Sequence, residues 1–315
     1  MIEQAPIVTD LGWSLMIAEL THRCPLGCPY CSNPLKLESR EDELDVAAWQ
    51  GLFVEAAALG VRQVRLSGGE PGARRDLVEI AASAREAGHH TCLITSGVGI
   101  ATRTMRDLWE AGLHGVHVSF QDSDAVSADR IAGQKGAFQR KYALATEAVR
   151  LGLELTVSFV VHRANMARAG EMIDLALALK AARAEIVDVE YVGWALKNSQ
   201  ALRPSTSQIR HTTVEIERAR QRCQGRISVD VIAAPEQRAG DVFTVTPSGK
   251  VLPGHRRSFS ELVPWNIRDH SLAKILMNLP TTNAIGDVSP GDEVLVVRGC
   301  DALENDSGGN YSHRR

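Results

Sequence analysis

Residues 21–32 read THRCPLGCPYCS, which places Cys24, Cys28 and Cys31 within eight positions, among Pro25, Gly27, Pro29 and Ser32, residue types that make a loop. The run just before it, WSLMIAEL at 13–20, has the length and apolar content of a buried strand. The three thiols therefore stand in the loop that leaves a strand's C-terminal end. Outward from there, amphipathic stretches alternate with short apolar runs. Strands are predicted over 13–20, 61–67, 90–95, 115–120, 154–161 and 185–192, and helices over 45–59, 75–87, 102–111, 137–151, 169–181 and 205–223. Six strand–helix units in succession require a parallel sheet, because each crossover returns the chain in the same direction. The expected fold is α/β, a partial (β/α)6 barrel two units short of closure, with its active face on the loops after the strands. An open doubly wound sheet is the competing architecture.

After about residue 226 the alternation stops. A hairpin is predicted there, with strands over 242–246 and 250–252 around Pro247-Ser248-Gly249. The expected organisation is a barrel over 1–225, a small lobe over 226–300, and a polar, disordered tail over 301–315. Of 315 residues, 44% are apolar and 23% charged, which excludes disordered, collagen-like and coiled-coil chains. A net charge of -3 argues against binding nucleic acid through a basic face. No window reaches the roughly 18 apolar residues of a membrane span, and residues 1–10 lack a signal core, so a cytoplasmic protein is expected. In a reducing compartment six cysteines are not a disulfide framework; they are ligands, reactive thiols or small core residues.

C-x3-C-x2-C supplies three soft thiolates that can curl around one iron-sulfur cubane and leave the fourth iron open to an outside ligand. A structural zinc with His22 as fourth ligand is the alternative, although His22 lies close to Cys24 and no second Cys or His pair follows at finger spacing. LSGGEP at 66–71 follows the second strand on the same rim. Its adjacent Gly68 and Gly69 permit close backbone approach, and Glu70 can accept from an ammonium group. Asp122 with Asp124, and Asp188 with Glu190, are same-side pairs expected to position substrate. Cys223, alone on an amphipathic helix, is expected to be a buried small residue.

The cysteine loop, GGEP and the partial-barrel alternation together resemble the radical S-adenosylmethionine (SAM) superfamily. Within it, LTHRCPLGCPYCSNP (20–34), RLSGGEP (65–71), LITSGVGI (93–100), HVSFQD (117–122), VVHRAN (160–165), YVGWALKN (191–198) and WNIRDHSLAKI (265–275) resemble the PqqE family of pyrroloquinoline quinone (PQQ) biosynthesis. The resemblance implies a 4Fe–4S cluster on Cys24, Cys28 and Cys31, with SAM on its open iron. It implies that Gly68, Gly69 and Glu70 meet the methionine amino group and that Tyr30 and Val192 lie near adenine. Ser96 and Ser119 match polar positions near the ribose and methionine moieties, and Arg130, in ADRIAG, matches an arginine that pairs with the SAM carboxylate. The implied chemistry is reductive cleavage of SAM to a 5'-deoxyadenosyl radical that takes hydrogen from substrate. In that family the substrate is the peptide PqqA, in which a Glu–Tyr carbon–carbon bond forms; it is presented by the chaperone PqqD, and a flavodoxin-type donor supplies electrons.

The chain departs from that family at its C-terminal SPASM extension, whose cysteines hold two auxiliary clusters. The family's V-L-P-C-H reads VLPGH at 251–255, its C-x2-C-D reads VRGCD at 297–301, and its G-G-C-x-C reads GGNYS at 308–312. Cys300 and Asp306 are the surviving matches, too few to hold a cluster, so auxiliary clusters are expected to be absent. Two further readings follow: SAM cleavage serving a different substrate, or a non-catalytic paralogue that binds peptide or carrier protein.

Overall fold

The computed structural model describes residues 11–232, 241–254 and 264–279. Seven strands run parallel in sequence order: β1 (Leu15–Glu19), β2 (Gln63–Ser67), β3 (His90–Thr95), β4 (Gly115–Phe120), β5 (Glu154–Val161), β6 (Arg183–Asp188) and β7 (Ser228–Ile232). On the far side of β1 lie β8 (Val242–Val245), parallel to it, and β9 (Val251–Pro253), antiparallel to β8. The order β7-β6-β5-β4-β3-β2-β1-β8-β9 leaves the sheet open.

Successive strands are joined by α1 (Val46–Ala58), α2 (Leu77–Glu86), α3 (Thr102–Glu110), the pair α4 (Ala125–Ala132) and α5 (Ala137–Arg150), and α6 (Ala169–Ala178). After β6 come α7 (Gly193–Lys197), α8 (Ser199–Leu202) and α9 (Thr206–Cys223); α10 (Leu272–Asn278) follows the hairpin. The helices bury one face of the sheet. Val64, Leu66, Leu93, Val116, Val118, Phe120, Val157, Phe159 and Ile186 point into a core shared with Trp49, Phe53, Ile80, Leu108, Leu144, Ile173 and Ile216. The alternate positions, Arg65, Cys92, His117, Ser119, Ser158 and Glu185, are half-buried on the other face. A sheet covered by helices on both faces would read as continuous apolar runs; period-two alternation here marks a hollow side.

Four expectations change. β6 stops at Asp188 rather than at 192, because the chain must turn into α7. A seventh parallel strand appears at Ser228–Ile232, after the 225 boundary yet within the main sheet. ADRIAG, outside the six predicted helices, is helical: Asp124 caps α4 by accepting from Ser127 N at 2.8 Å, and Gly133 ends it at φ 70°. The hairpin forms as expected, but β8 extends the barrel sheet by pairing Leu15–Ala18 with Val242–Val245. Trp13 meets Phe243 edge-on at 5.8 Å, and α10 places Leu272, Ile275 and Leu276 in the main core. The tail, Cys300 and Asp306 lie outside the described residues. Among the described residues, no helix is long and apolar enough to cross a membrane.

Candidate functional site

The cysteine loop is tied down at its root by the glycine strip. Leu20 N donates to Ser67 O (2.9 Å), Gly69 N to Thr21 O (2.7 Å) and Glu70 N to Arg23 O (2.8 Å), so the ladder of β1 and β2 runs on into both loops. A Cβ on Gly68, whose φ is 137°, would stand 2.3 Å from Thr21 O, and one on Gly69 would stand 2.4 Å from His22 O. The close approach that the two glycines permit is thus to the cysteine loop's own backbone. Around this root Arg23 bonds Glu43 Oε2 (3.1 Å) and Ala73 O (3.0 Å). The buried Arg74 bonds Leu20 O (3.1 Å), Leu44 O (2.8 Å) and Asp76.

The far part of the loop is held by two other elements. Gly27 N donates to Ala132 O at the end of α4 (2.9 Å), Ala195 N of α7 donates to Cys31 O (3.0 Å), and Asn198 Nδ2 donates to Pro29 O (3.0 Å). Cys31 N closes a turn on Cys28 O (3.2 Å), and Asn33 N points at Cys31 Sγ (3.4 Å). All three thiols are half-buried. Burial pushes the Cys28 thiol up to about 11, opposed by Lys141 and reinforced by Cys31 and Cys24; burial also raises Cys24. Thiols that raise one another are suited to a cation that takes up their charge.

His22, the fourth ligand of the zinc reading, is committed elsewhere. Its Nδ1 accepts from Glu38 N (3.3 Å) and its Nε2 faces Glu19 Oε2 (3.5 Å). Among the described residues no three Cys, His, Asp or Glu side chains converge on a single ion. A cubane asks for less convergence, since each thiolate bonds a different corner, so the donor set fits a cluster better than zinc.

Glu70 is fully buried, and its carboxylate joins its own loop to the one that follows β3. Its Oε1 accepts from Gly72 N (3.0 Å) and Thr95 Oγ1 (2.7 Å); its Oε2 accepts from Ser96 N (2.7 Å) and from the Ser96 hydroxyl. Four donors meet this carboxylate, which thereby braces the rim. Ser96 is tied into that brace just past β3. Ser119 lies on the hollow face of β4, and its carbonyl accepts from Lys141 Nζ (2.9 Å).

The Tyr30 side chain interacts with Cys28 and Gln121, and its ring lies 5.4 Å from that of His162; burial raises its hydroxyl well above the usual range. His162 is buried, and among the described residues its Nε2 has no partner; burial lowers it to about 4. Arg130 is exposed on α4's last turn, its side chain bonded to Ser127 Oγ at 3.4 Å. Val192 is half-buried at the N-cap of α7, beyond the strand that was to carry it. The structure therefore gathers the cysteines, Tyr30, Gly68, Gly69, Glu70, Ser96 and Ser119 at one rim, and shows no contact bringing the Arg130 side chain to them.

Asp122 and Asp124 do structural work. Asp124 caps α4, and Asp122 is buried against Arg168, whose Nε donates at 2.6 Å. Sequence reasoning missed Lys141 and Gln121. The signal was available: Lys141 stands on the buried stripe of α5 with Phe138, Leu144, Ala145 and Ala148, where a lysine requires an explanation.

Residues 18–176 match the family model of the radical SAM superfamily. A PqqA peptide cyclase of Methylocella silvestris is 46% identical over 308 residues, 93% of this chain and 81% of that protein. Streptococcus suis SuiB bound to its precursor peptide SuiA superposes with a TM-score of 0.72 at 15% identity, covering 88% of this chain and 67% of SuiB. SuiB bound to S-adenosylmethionine gives 0.69 at 16% identity, covering 85% of this chain and 65% of SuiB. Rim, sheet and relatives agree, and the chain belongs to the radical SAM superfamily and, within it, to the family of the PqqA peptide cyclases.

Proposed function

We propose that this chain is a PqqE-type radical SAM enzyme acting on a ribosomal peptide. Cys24, Cys28 and Cys31 hold one 4Fe–4S cluster, and Gly68, Gly69, Glu70, Ser96, Ser119 and Tyr30 form the SAM site beside it; Val192, at the N-cap of α7, and Arg130, on α4, are assigned to it by the resemblance, Arg130 having to leave Ser127 to reach SAM. The observation that carries this reading is the cysteine loop itself: three thiols on the open rim of a parallel sheet, pinned from below by GGE and from the sides by α4 and α7. When bound, the cluster supplies the electron that splits SAM's sulfonium into methionine and a 5'-deoxyadenosyl radical. The chain's own residues hold the loop, brace it through Glu70 and line the hollow face where a peptide lies.

The product by analogy is the Glu–Tyr carbon–carbon bond of a PqqA-like peptide, formed with loss of one hydrogen from each side: one as an atom to the deoxyadenosyl radical and one as a proton and an electron, SAM being the net two-electron oxidant. A PqqD-like chaperone and a flavodoxin-type donor are the proposed partners, and the cytoplasm the proposed location. Residues 226–300 are read as a SPASM remnant without auxiliary clusters. The test is anaerobic reconstitution with iron and sulfide counted per chain, then SAM, reductant and peptide. About four irons, 5'-deoxyadenosine, and a peptide lighter by two hydrogens support the reading; zinc or no metal overturns it. Gly254, at a family ligand position, favours a second reading in which SAM is cleaved for another substrate. Deoxyadenosine formed with every PqqA-like peptide left unchanged would select it.

A further inference from the structure

A lysine on the core-facing stripe of a helix costs several kcal/mol of desolvation unless something uses its charge. Lys141 is such a residue: its side chain is fully buried on α5, and Gly97 leaves room for it, since a Cβ there would come within 3.3 Å of Lys141 Cα and Cγ. Its Nζ donates to Ser119 O (2.9 Å) and to Gln121 Oε1 (2.6 Å). The third N–H has no hydrogen-bond partner among the described residues. Gln121 in turn acts on the Tyr30 hydroxyl, and Tyr30 and Cys28 act on one another. A line of interacting groups, Lys141, Gln121, Tyr30 and Cys28, thus leads from a buried cation to one of the three loop thiols. The negative groups that act on Lys141 are Cys28, Glu70, Cys24 and, on α4, Asp129. Reciprocally, its charge acts on Cys28 and Cys24.

We propose that Lys141 is a positioning residue for electron entry: a fixed buried cation that offsets the charge of the cluster's thiolates and raises the potential at which the cluster accepts an electron. The inference rests on the cluster being held by Cys24, Cys28 and Cys31. Reducing a thiolate-ligated cluster adds one negative charge to a site that already carries several. A nearby ammonium in a poorly solvated setting stabilises the reduced state more than the oxidised one. The step is a one-electron transfer from a low-potential donor of the flavodoxin class to the cluster. Lys141 keeps its proton throughout, and its effect passes through space and through the Gln121–Tyr30 line, as outer-sphere groups tune other metal sites. Burial lowers the Lys141 ammonium to about 8, opposed by Cys28, Glu70, Cys24 and Asp129, which leaves it charged at neutral pH.

The experiment is a redox titration of the reconstituted full chain, followed by electron paramagnetic resonance, with iron and sulfide counted on each sample. Lys141→Gln removes the charge while retaining N–H donors for Ser119 and Gln121, and Lys141→Arg retains the charge. The Gln variant should load iron normally and show an about tenfold smaller ratio of reduced to oxidised cluster at a fixed potential, a midpoint about 59 mV more negative. Lys141→Arg should stay near wild type. Gln121→Glu, which places an anion against the ammonium, should lower the midpoint with Lys141 intact and decides the matter should the Lys141 variants not load. A fully loaded Lys141→Gln or Gln121→Glu chain with the wild-type midpoint overturns the inference and leaves the cluster reading standing. An iron-free wild-type chain overturns the cluster reading itself, and this inference with it.

Discussion

The cysteine loop and the C-terminal hairpin sit on opposite margins of β1, and they are held in different ways. The loop has few apolar contacts of its own; its shape comes from backbone hydrogen bonds to the glycine strip, to α4 and to α7, and from the Arg23–Glu43 and Arg74–Asp76 contacts at its root. The hairpin is held by pairing: Val242–Val245 lie along β1, Phe243–Val245 pair with Val251–Pro253, and Val245 and Val251 are fully buried. Both regions match positions where the family places cysteines, and the loop retains all of its own while Gly254 stands in the hairpin. A segment folded by strand pairing can lose a ligand and keep its shape. A segment with little but its ligands to bury has no such reserve.

The sharpest way to break this contrast is to remove a ligand from the loop. Cys28→Ala should take iron from about four per chain to near none and reduce deoxyadenosine formation by more than about a hundredfold, beyond the usual effect of outer-shell changes. Cys223→Ala, on the buried end of α9, should leave iron unchanged and cost about 1 kcal/mol of stability. Equal iron loss in both variants would end the assignment of the loop as the ligand set. Gly69→Ala comes next, because its methyl group would lie 2.4 Å from His22 O and 2.6 Å from Arg23 O. About 1–3 kcal/mol of destabilisation is expected, with iron uptake reduced because the loop root must shift. Urea titration and iron counting on the same samples would show whether the two losses travel together.

The cysteine loop was legible in the sequence because its residue types forbid helix and strand, and most of the parallel alternation because period and stop signals agree. What escaped was set by tertiary contact. Val189, Tyr191 and Val192 are good strand formers, so the apolar run continues past Asp188. The chain leaves the sheet because α7 must dock on the loop, with Gly193 at φ 53° so close to Asn33 O that a Cβ would stand at 2.0 Å. SVDVI at 228–232 does alternate, but no further crossover announced a seventh parallel strand. ADRIAG gave no long amphipathic period, and its helix is fixed by the Asp124 cap and by Gly133. At the site, the sequence of GGEP does not reveal that its glycines pack on the cysteine loop or that Glu70 braces the loop after β3, because both are contacts between segments distant in the chain.

Acid offers a milder test, because buried neutral histidines belong to the barrel. Burial lowers His162 to about 4 and His117, on the hollow face, to about 3, from an ordinary value near 6.5. Below pH 6.5 the unfolded chain therefore binds protons that the folded chain refuses. Stability should be greatest above about pH 6.5 and fall as the pH drops toward 4. His162 alone accounts for a loss on the order of 2–3 kcal/mol over that range. Chemical denaturation at pH 7.5 and pH 5 checks the slope, and His162→Gln should flatten it. An unchanged slope would mean that His162 is charged in the fold or that it titrates normally.

The smallest effect is expected where the ligand is already gone. Gly254 has φ 65°, its N–H donates to Val242 O (2.8 Å) and its carbonyl accepts from Thr244 Oγ1 (2.6 Å). The residue closes the hairpin in a left-handed conformation that a cysteine adopts at a cost of about 1–2 kcal/mol. Restoring the family residue by Gly254→Cys should therefore weaken the fold by about that amount and, on the proposal that this segment holds no auxiliary cluster, leave iron at the wild-type count. Measured beside Cys28→Ala, it sets one cysteine whose removal empties a site against another whose return fills none. A gain of iron in Gly254→Cys would show that the remaining ligands still converge on the hairpin. The two margins of β1 would then differ by a single residue rather than by the way they are held.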